Sequence, residues 1–339
     1  MSAKKKVLVT GATGFLGSHI IAALRDHKEF ETVAACRTPG NLPAWFVGEV
    51  RPGDLTDPTY RQDLFSDIDV VLHVGTWATF WGHRSEEKER FFDVACDLVD
   101  LAVRHKVDRF ALASTVAMVG RRSIGEVDDF ATPEKSGFWP HLDYLIDLDA
   151  YMQTKATTHT NFTNMRLGHF VGRGNKLGIA PALLPRLSTY MVPWLAGGTN
   201  RLPLVSGRDM ARAFVKFCEA TELKSNESFN ICHDDAPTMR EVVNEMSTLA
   251  RVPKPLFSVP FWAAYVFGGL MEILHPVLPG KAPFLTRSLV RVSEDRKPSI
   301  EYAKQKLGFV AQDDWRDALA ESVQESIEFG MPWPALGQA

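Results

Sequence analysis

The stretch that decides the fold is Val7–Gly17, which reads Val-Leu-Val-Thr-Gly-Ala-Thr-Gly-Phe-Leu-Gly. Its apolar start predicts a buried parallel strand, and the glycines predict a sharp turn into a helix over about Phe15–Leu24. Gly11 permits the turn, Gly14 lets backbone N–H groups approach a phosphate, and Gly17 lets the helix pack on the strand. The stretch therefore predicts a bound dinucleotide, with an ordinary strand-to-helix turn as the alternative.

The composition is typical of a soluble enzyme. The chain has 339 residues, 45% of them hydrophobic, and a formal net charge of −3, which suits one large core or two smaller ones. A short basic run at 4–6 directly precedes the first strand, so we expect a solvated terminus and no nucleic-acid partner. The apolar segment that follows is too short for a signal peptide, which favours a cytoplasmic protein.

The cysteines and histidines lack the spacing of metal ligands. The four cysteines are Cys36, Cys96, Cys218 and Cys232. Scattered cysteines of this kind indicate reduced thiols rather than disulfides or a zinc centre. We therefore expect no metal site.

Short apolar runs recur along the chain at the intervals of alternating strands and helices. The predicted strands are Val7–Thr10, Thr32–Cys36, Val70–Val74, Phe110–Ala113, Asn161–Leu167 and Ser228–Cys232. A helix is predicted over Asp97–His105, where apolar residues follow helical spacing. This pattern predicts an α/β fold with a doubly wound parallel Rossmann sheet.

The composition changes after about Gly174 to apolar segments interrupted by prolines, mainly Leu177–Leu195 and Val259–Leu278. The second segment also contains a glutamate and a histidine, so a membrane span is not expected. A substrate lid or core is favoured, with weak association with a membrane surface as the alternative. We expect a dinucleotide-binding domain at 1–174 plus about 206–235, and a smaller substrate-binding domain at about 175–205 plus 236–339.

Side chains at two places in the chain indicate proton transfer. Tyr151 and Lys155 stand four residues apart, so within a helix they share one face. A nearby ammonium stabilises phenolate, and we expect it to lower the pKa of the tyrosine from its usual ~10. Ser114 and Thr115 follow a predicted strand at the carboxyl edge of the sheet, where a hydroxyl can hydrogen-bond a ligand carbonyl.

The chain resembles the extended, or atypical, short-chain dehydrogenase/reductase family over nearly its whole length. The matching motifs are Thr10–Gly17 (TGxxGxxG), Asp54-Leu55 after the third strand, His73–Thr76 after the fourth, Ser114–Gly120, Tyr151–Lys155 (YxxxK) and Arg208–Ala211. The resemblance implies that Thr115 polarises the substrate oxygen, that Tyr151 is the acid/base, and that Lys155 lowers its pKa and holds the ribose. The implied cofactor contacts are Gly11, Thr13, Gly14, Phe15, Leu16, Gly17, Asp54, Leu55, Val74, Gly75, Tyr151, Lys155, Leu167, Gly168 and Phe170.

Two positions depart from the family pattern. The stretch Arg166–Gly174 lacks the family's proline beside the nicotinamide, and Asp93 stands where the family has an asparagine. The runs Pro283–Arg287 and Lys306–Phe309 resemble the 3β-hydroxysteroid dehydrogenase-like branch more than nucleotide-sugar epimerases.

The expected reaction is reversible hydride transfer between nicotinamide and a carbonyl or secondary alcohol of an apolar, steroid-like or long-chain substrate. Two alternatives stay open: a nucleotide-sugar epimerase or dehydratase, and a dinucleotide-sensing regulator without turnover. The Tyr151/Lys155 pair disfavours the regulator. Four arginines are candidates to meet an anionic tail of the substrate: Arg186, Arg201, Arg287 and Arg291.

Arg37 bears on the choice of cofactor. It stands 20 positions after Gly17, where a protein that prefers NAD usually places a carboxylate. A guanidinium can instead bind a 2′-phosphate through charge-assisted hydrogen bonds. We therefore predict NADP as the preferred cofactor and NAD as the alternative. The family resemblance also suggests a homodimer formed through two crossover helices.

Overall fold

The computed structural model describes residues 4–119, 126–127, 129, 131–157, 159–277 and 282–333. Its strands are, in chain order, β1 (Lys5–Thr10), β2 (Phe30–Cys36), β3 (Glu49–Pro52), β4 (Val70–His73), β5 (Arg109–Thr115), β6 (Glu126–Val127), β7 (Asn161–Leu167), β8 (His169–Val171), β9 (Trp194–Leu195), β10 (Leu204–Ser206), β11 (Asn226–Ile231), β12 (Ser258–Val259) and β13 (Lys297–Pro298). Its helices are α1 (Phe15–Leu24), α2 (Pro58–Leu64), α3 (Arg84–Glu87), α4 (Asp93–Arg104), α5 (Pro140–Lys155), α6 (Ile179–Leu187), α7 (Gly207–Glu219), α8 (Met239–Ala250), α9 (Phe261–Leu274), α10 (Arg287–Val292), α11 (Glu301–Leu307) and α12 (Trp315–Glu328). A π-helical turn, Lys88–Phe92, joins α3 to α4.

Seven strands form one parallel sheet in the order β11-β7-β5-β4-β1-β2-β3. The order reverses direction between β1 and β4, which places helices on both faces of the sheet. The predicted α/β fold with a doubly wound parallel Rossmann sheet is confirmed. Each predicted strand overlaps a strand of this sheet. The edge strand β3 alternates between half-buried and exposed residues, so it lacks the apolar run on which the other predictions depend.

Two apolar layers cover the sheet. On one face α1, α7 and α11 bury side chains such as Ile20, Phe214 and Leu307. On the other face α2, α4 and α5 bury side chains such as Leu98 and Leu148. The helix expected over Asp97–His105 begins four residues earlier, at Asp93.

A smaller apolar core lies beside the sheet. The helices α6, α8 and α12 pack together there with β8 and β10, which pair in parallel. Residues 300–309 do not pack in this smaller core, because Ile300, Leu307 and Phe309 belong to the core that covers the sheet. Part of the segment 236–339 therefore packs with the dinucleotide-binding fold.

The helix α9 is apolar on nearly every side, yet only Ala264 and Gly268 in it are buried. Trp262 is 70% exposed, and Val266 and Ile273 are also exposed. Within the described ranges, no helix combines the length and the apolar character that crossing a bilayer requires.

Candidate active site

A cavity of about 1710 Å³ opens at the carboxyl edge of the sheet and extends under the C-terminal segments. The turns after β1, β2, β4 and β5 line one part of it. Residues from α6, α9 and the 282–296 segment line the other part. The position agrees with the rule that open α/β sheets bind ligands where the strand order reverses.

The turn after β1 depends on close backbone contacts. Gly11 has a φ of +66°, and a Cβ atom there would lie 2.5 Å from the Cα atom of Gly75. A Cβ atom on Gly17 would lie 2.2 Å from the carbonyl oxygen of Gly11. Thr10 joins the two turns, because its hydroxyl oxygen accepts from the N–H groups of Val74 and Gly75 at 3.2 and 3.1 Å.

The helix α1 begins at this turn without a side-chain cap, and Gly14 is its N-cap residue. The residues Gly14–Gly17 line the cavity. Uncapped N–H groups at a helix N-terminus carry a partial positive charge and bind phosphate well. The turn therefore fits the pyrophosphate of a dinucleotide.

Arg37 and Asp54 lie at the adjoining end of the cavity, after β2 and β3. The backbone N–H of Thr56 donates to the Asp54 carboxylate and, with a smaller contribution from Arg37, lowers the pKa of that carboxyl. Arg37 is exposed, and its guanidinium has no hydrogen bond or ion pair with any residue that the structure describes. It is free to bind an anionic group.

Most residues expected to bind the cofactor line the cavity. They are Gly11, Thr13, Gly14, Phe15, Leu16, Gly17, Arg37, Asp54, Leu55, Val74, Gly75, Gly168 and Phe170. Leu167 is fully buried within β7 and is not part of the described lining. Tyr151 and Lys155 are not part of it either.

Thr115 and Ser114 both line the cavity at the end of β5. The Thr115 hydroxyl oxygen accepts from the backbone N–H of Ala117 at 3.1 Å, which leaves its own hydrogen free to donate. The Ser114 hydroxyl instead donates to the sulfur of Met118 at 3.6 Å. This difference supports Thr115 as the hydroxyl that polarises a carbonyl. Gly120, the last residue of that motif, lies outside the described residues.

The structure corrects the expected position of Tyr151 and Lys155. The Tyr151 hydroxyl donates to both carboxylate oxygens of Asp100 at 2.9 Å, and the Lys155 ammonium lies 2.7 Å from the same carboxylate. Burial raises the pKa of the Tyr151 phenol, and the neighbouring Asp100 adds to this, so the expected lowering by Lys155 does not prevail. The hydrogen bond with Asp100 raises the pKa of Lys155 to about 12.

The reason for this position is the direction of α5. A helix that precedes a parallel strand begins at the carboxyl edge of the sheet and runs away from it. The helix α5 begins at Pro140, so Tyr151 lies roughly 16 Å further along its axis, at about 1.5 Å per residue. Tyr151 and Lys155 therefore occupy the far end of α5, beside α4.

The first turns of α5 bring His141 and Leu145 to the cavity instead. The Nδ1 atom of His141 lies 3.1 Å from the carboxylate of Glu87, which is fully buried. The sequence analysis did not identify His141 or Glu87. A proline preceded by a tryptophan at 139–140 marks the helix start, and this signal would have placed His141 in the first turn.

The deeper part of the cavity is mainly apolar. Its lining includes Ile179, Leu183, Trp194, Phe257, Phe267, Phe284 and Leu289. Arg186 is a buried cation among the lining residues. Its guanidinium donates to the carbonyl oxygens of Ala182, Pro283 and Phe284, and burial lowers its pKa to about 10. No carboxylate in the described residues pairs with it.

Among the described residues, one group of side chains has the spacing of metal ligands. It consists of His27, Glu29 and Glu219, which do not line the cavity. Two of them are partly exposed and one is exposed, and such groups are common without an ion.

Comparisons with known proteins agree with the geometry. The model of the NAD dependent epimerase/dehydratase family matches residues 7–232. The 2-alkyl-3-oxoalkanoate reductase of Stenotrophomonas maltophilia is 26% identical over 325 residues, which cover 91% of this chain and 95% of the reductase. The 3 beta-hydroxysteroid dehydrogenase/Delta 5-->4-isomerase of Mycobacterium tuberculosis is 30% identical over 158 residues, which cover 44% of this chain and 40% of that protein.

A solved structure with the same fold is the UDP-glucuronic acid 4-epimerase of Bacillus cereus in complex with NAD. It superposes with a TM-score of 0.72 and 18% identity, and covers 96% of this chain and 99% of the epimerase. The match of the family model extends from β1 to just past β11 and includes the glycine turn. The chain belongs to the NAD dependent epimerase/dehydratase family, as its resemblance to extended short-chain dehydrogenases/reductases predicts.

Proposed function

We propose that the protein is an NAD(P)-dependent oxidoreductase that interconverts a carbonyl and a secondary alcohol on a bulky apolar substrate. The observation that carries this proposal is the single cavity that connects the uncapped start of α1 to an apolar chamber. The hydroxyl of Thr115 lies on its wall at the end of β5. A cavity of this kind holds a dinucleotide and a hydrophobic substrate at the same time.

A bound NAD(P) would supply or accept the hydride. The chain's own residues would hold the two reactants: Gly14–Gly17 the pyrophosphate, Asp54 and Leu55 the adenosine end, and Thr115 the substrate oxygen. Apolar side chains exclude water from the chamber, which strengthens the hydrogen bond from Thr115. Each Å² of apolar substrate surface that is buried contributes about 25 cal/mol to the free energy of binding.

Arg186 suggests an acidic group on the substrate. It is a buried guanidinium in an apolar chamber, and a carboxylate would pair with it favourably in this environment. The Stenotrophomonas relative is named for a substrate in which one alkyl-substituted carbon separates a ketone from a carboxylate. Long-chain 3-oxo acids therefore join steroid-like ketones as the preferred candidates.

A substrate panel tests the proposal. We expect NAD(P)H oxidation with long-chain 3-oxo acids or steroid ketones, and a kcat/KM for these that exceeds the values for small aldehydes and for UDP-hexoses. The expected difference follows from the apolar lining, and absorbance of the reduced cofactor measures it. Preference for UDP-hexoses would favour the epimerase instead, and absence of turnover with every compound would favour the regulator.

Tyr151 and Lys155 lie away from the cavity, so they do not argue against a dinucleotide-sensing regulator without turnover. Thr115 and the pairing of His141 with Glu87 do argue against such a regulator. A dinucleotide sensor has no need of a positioned proton donor. The homodimer through two crossover helices and the cytoplasmic location stay predictions.

Arg37→Asp is expected to change the cofactor preference. We propose that wild-type protein binds NADP more tightly than NAD, because the Arg37 guanidinium can pair with the 2′-phosphate. A carboxylate at this position repels that phosphate and can accept hydrogen bonds from the ribose hydroxyls of NAD. Titration calorimetry with both cofactors should show the order reversed. Arg25→Asp, which changes an exposed arginine that is not part of the described cavity lining, should leave the order unchanged. Tighter NAD binding by the wild type would contradict the prediction.

A further inference from the structure

We propose that His141, held by Glu87, is the acid–base group that exchanges a proton with the substrate oxygen. This inference rests on the proposed function and adds the residue that the reaction requires. Neither the family motif nor the relatives' names assign a role to either residue.

The position of His141 is fixed by its neighbours in α5. Trp139 and Leu142 pack in one apolar cluster with Ala117 and Met118, two residues that closely follow Thr115. His141 lies between Trp139 and Leu142 in the chain and lines the same cavity as Thr115. The imidazole and the Thr115 hydroxyl therefore approach the same region of the cavity.

Glu87 determines which nitrogen of His141 faces the cavity. One carboxylate oxygen of Glu87 accepts from the backbone N–H and the hydroxyl of Thr79, at 2.8 and 2.9 Å. The other lies 3.1 Å from Nδ1 of His141. A carboxylate oxygen accepts hydrogen bonds, so Nδ1–H is the donor and Nε2 is left for the cavity. A fully buried carboxylate also stabilises the imidazolium that forms when Nε2 takes a proton.

The loop that holds Glu87 is itself anchored to α5. The indole N–H of Trp139 donates to the carbonyl oxygen of Thr79 at 2.7 Å, and the rings of Phe80 and Trp139 stack with centroids 5.4 Å apart. These contacts tie the segment after β4 to the start of α5. The pair is therefore built into the packing of the site and is not a chance surface contact.

Other side chains of the described lining are less suited to this role. Tyr60 is its only tyrosine, and the hydroxyl donates to the carbonyl oxygen of Arg51 at 2.6 Å. Burial raises the pKa of Tyr60 to about 12. His169 is the other histidine of the lining, and burial lowers its pKa to about 4. His169 is thus a poor proton donor near neutral pH.

In the reductive direction, protonated His141 gives the proton on Nε2 to the carbonyl oxygen as the carbonyl carbon receives the hydride. The π electron pair of the carbonyl becomes the new O–H bond, and the imidazole is left neutral. In the oxidative direction Nε2 takes the alcohol proton. Thr115 donates a hydrogen bond to the oxygen in both directions, and Glu87 acts as a positioning residue through His141.

Nitrogen NMR of protein labelled with ¹⁵N-histidine tests the pairing without any substrate. The signal of His141 is assigned by its loss in His141→Gln. We expect neutral His141 to carry its proton on Nδ1 in the wild type, and to shift toward the Nε2–H tautomer in Glu87→Gln. A wild-type Nε2–H tautomer, or a tautomer unaffected by Glu87→Gln, would overturn the proposal.

Kinetics test the role in catalysis on the best substrate of the panel. His141→Gln is expected to lower kcat by about 10²–10⁴-fold, with KM and the cofactor Kd changed less than about threefold. The Kd, from quenching of tryptophan fluorescence, shows that the variant is folded. Glu87→Gln should lower kcat less, imidazole should restore part of the activity of His141→Ala, and exposed His159→Gln should behave as wild type.

Two results would overturn the catalytic role. One is near wild-type kcat in His141→Gln, and the other is a larger loss in Tyr151→Phe than in His141→Gln. These outcomes are distinct from failure of the proposed function, in which the wild type itself turns over no carbonyl substrate. In that case the tautomer of His141 still decides whether Glu87 holds it as described.

Discussion

Thr115→Val should lower kcat by about 10²–10³-fold, the usual effect of removing one hydrogen-bond donor to a developing oxyanion. Valine keeps the branched shape of threonine, so the end of β5 keeps its packing. Only the hydroxyl is lost, and with it the hydrogen that the Ala117 contact leaves free to donate. The measurement is kcat with the best carbonyl substrate, beside the Kd of the cofactor, which should change little.

Ser114→Ala is the matched comparison for this variant. Ser114 lines the same cavity, but its hydroxyl donates to the sulfur of Met118. A loss of kcat well below that of Thr115→Val is therefore expected. Equal losses in the two variants would show that the hydroxyls of β5 are interchangeable, and an unimpaired Thr115→Val would remove Thr115 from the mechanism.

Asp209→Ala should lower the free energy of unfolding by about 3–5 kcal/mol, because two backbone N–H groups lose a buried, charged acceptor, at roughly 1.5–3 kcal/mol for each hydrogen bond. Asp209 is 1% exposed, near the start of α7. Its carboxylate accepts from the guanidinium of Arg212 at 3.1 Å and from the backbone N–H groups of Gln312 and Asp313 at 2.8 and 3.1 Å. The substitution leaves the two backbone donors without this acceptor, whereas Arg212 keeps its contact with the Asp313 carboxylate at 2.8 Å. The helix α12 follows directly after this contact. Urea unfolding, followed by tryptophan fluorescence, measures the change.

Asp295→Ala provides the control for this loss. Asp295 also pairs with an arginine, Arg201, at 3.3 Å, but its side chain is 52% exposed. Solvent-exposed ion pairs contribute about 0–1 kcal/mol to the free energy of unfolding. A similar loss in the two variants would mean that burial does not govern the strength of these pairs, contrary to the prediction.

Much of the fold could be predicted from the sequence because the central strands are buried on both faces. Such strands read as continuous apolar runs, and β7 has the predicted bounds Asn161–Leu167. The same is true of α1, whose glycine turn fixes its start. The bounds of the strand β3 could not be predicted in this way. It lies at the edge of the sheet, and its residues alternate between half-buried and exposed positions. The sequence also does not show that residues 300–309 pack on the sheet rather than with the other C-terminal segments. No local pattern of residues indicates this packing.

The candidate site was less predictable, for a physical reason. The candidate cofactor-binding turns are local, so their residues are close together in the chain, and Gly11–Gly17 and Arg37 could be named as residues that line the cavity. The proton-transfer group depends on where a helix begins relative to the sheet. Tyr151 and Lys155 satisfy the spacing that the chemistry needs but lie at the wrong end of α5. Glu87 is the last residue of α3, in a polar run that continues into the π-helical turn, and nothing in the sequence distinguishes it from its exposed neighbours.

The orientation of α5 affects how relatives of this chain should be grouped. His141 and Leu145 at the start of the helix have the same four-residue spacing as Tyr151 and Lys155 near its end. Spacing alone therefore does not show at which end of the helix a pair of residues lies. The number of residues between the pair and the next strand does show this. Tyr151 precedes β7, which begins at residue 161, by 161 − 151 = 10 positions, and His141 precedes it by 161 − 141 = 20. Sequences aligned by this interval would fall into those with tyrosine and those with histidine at the cavity end, and we expect the second group to share the proton transfer proposed for His141.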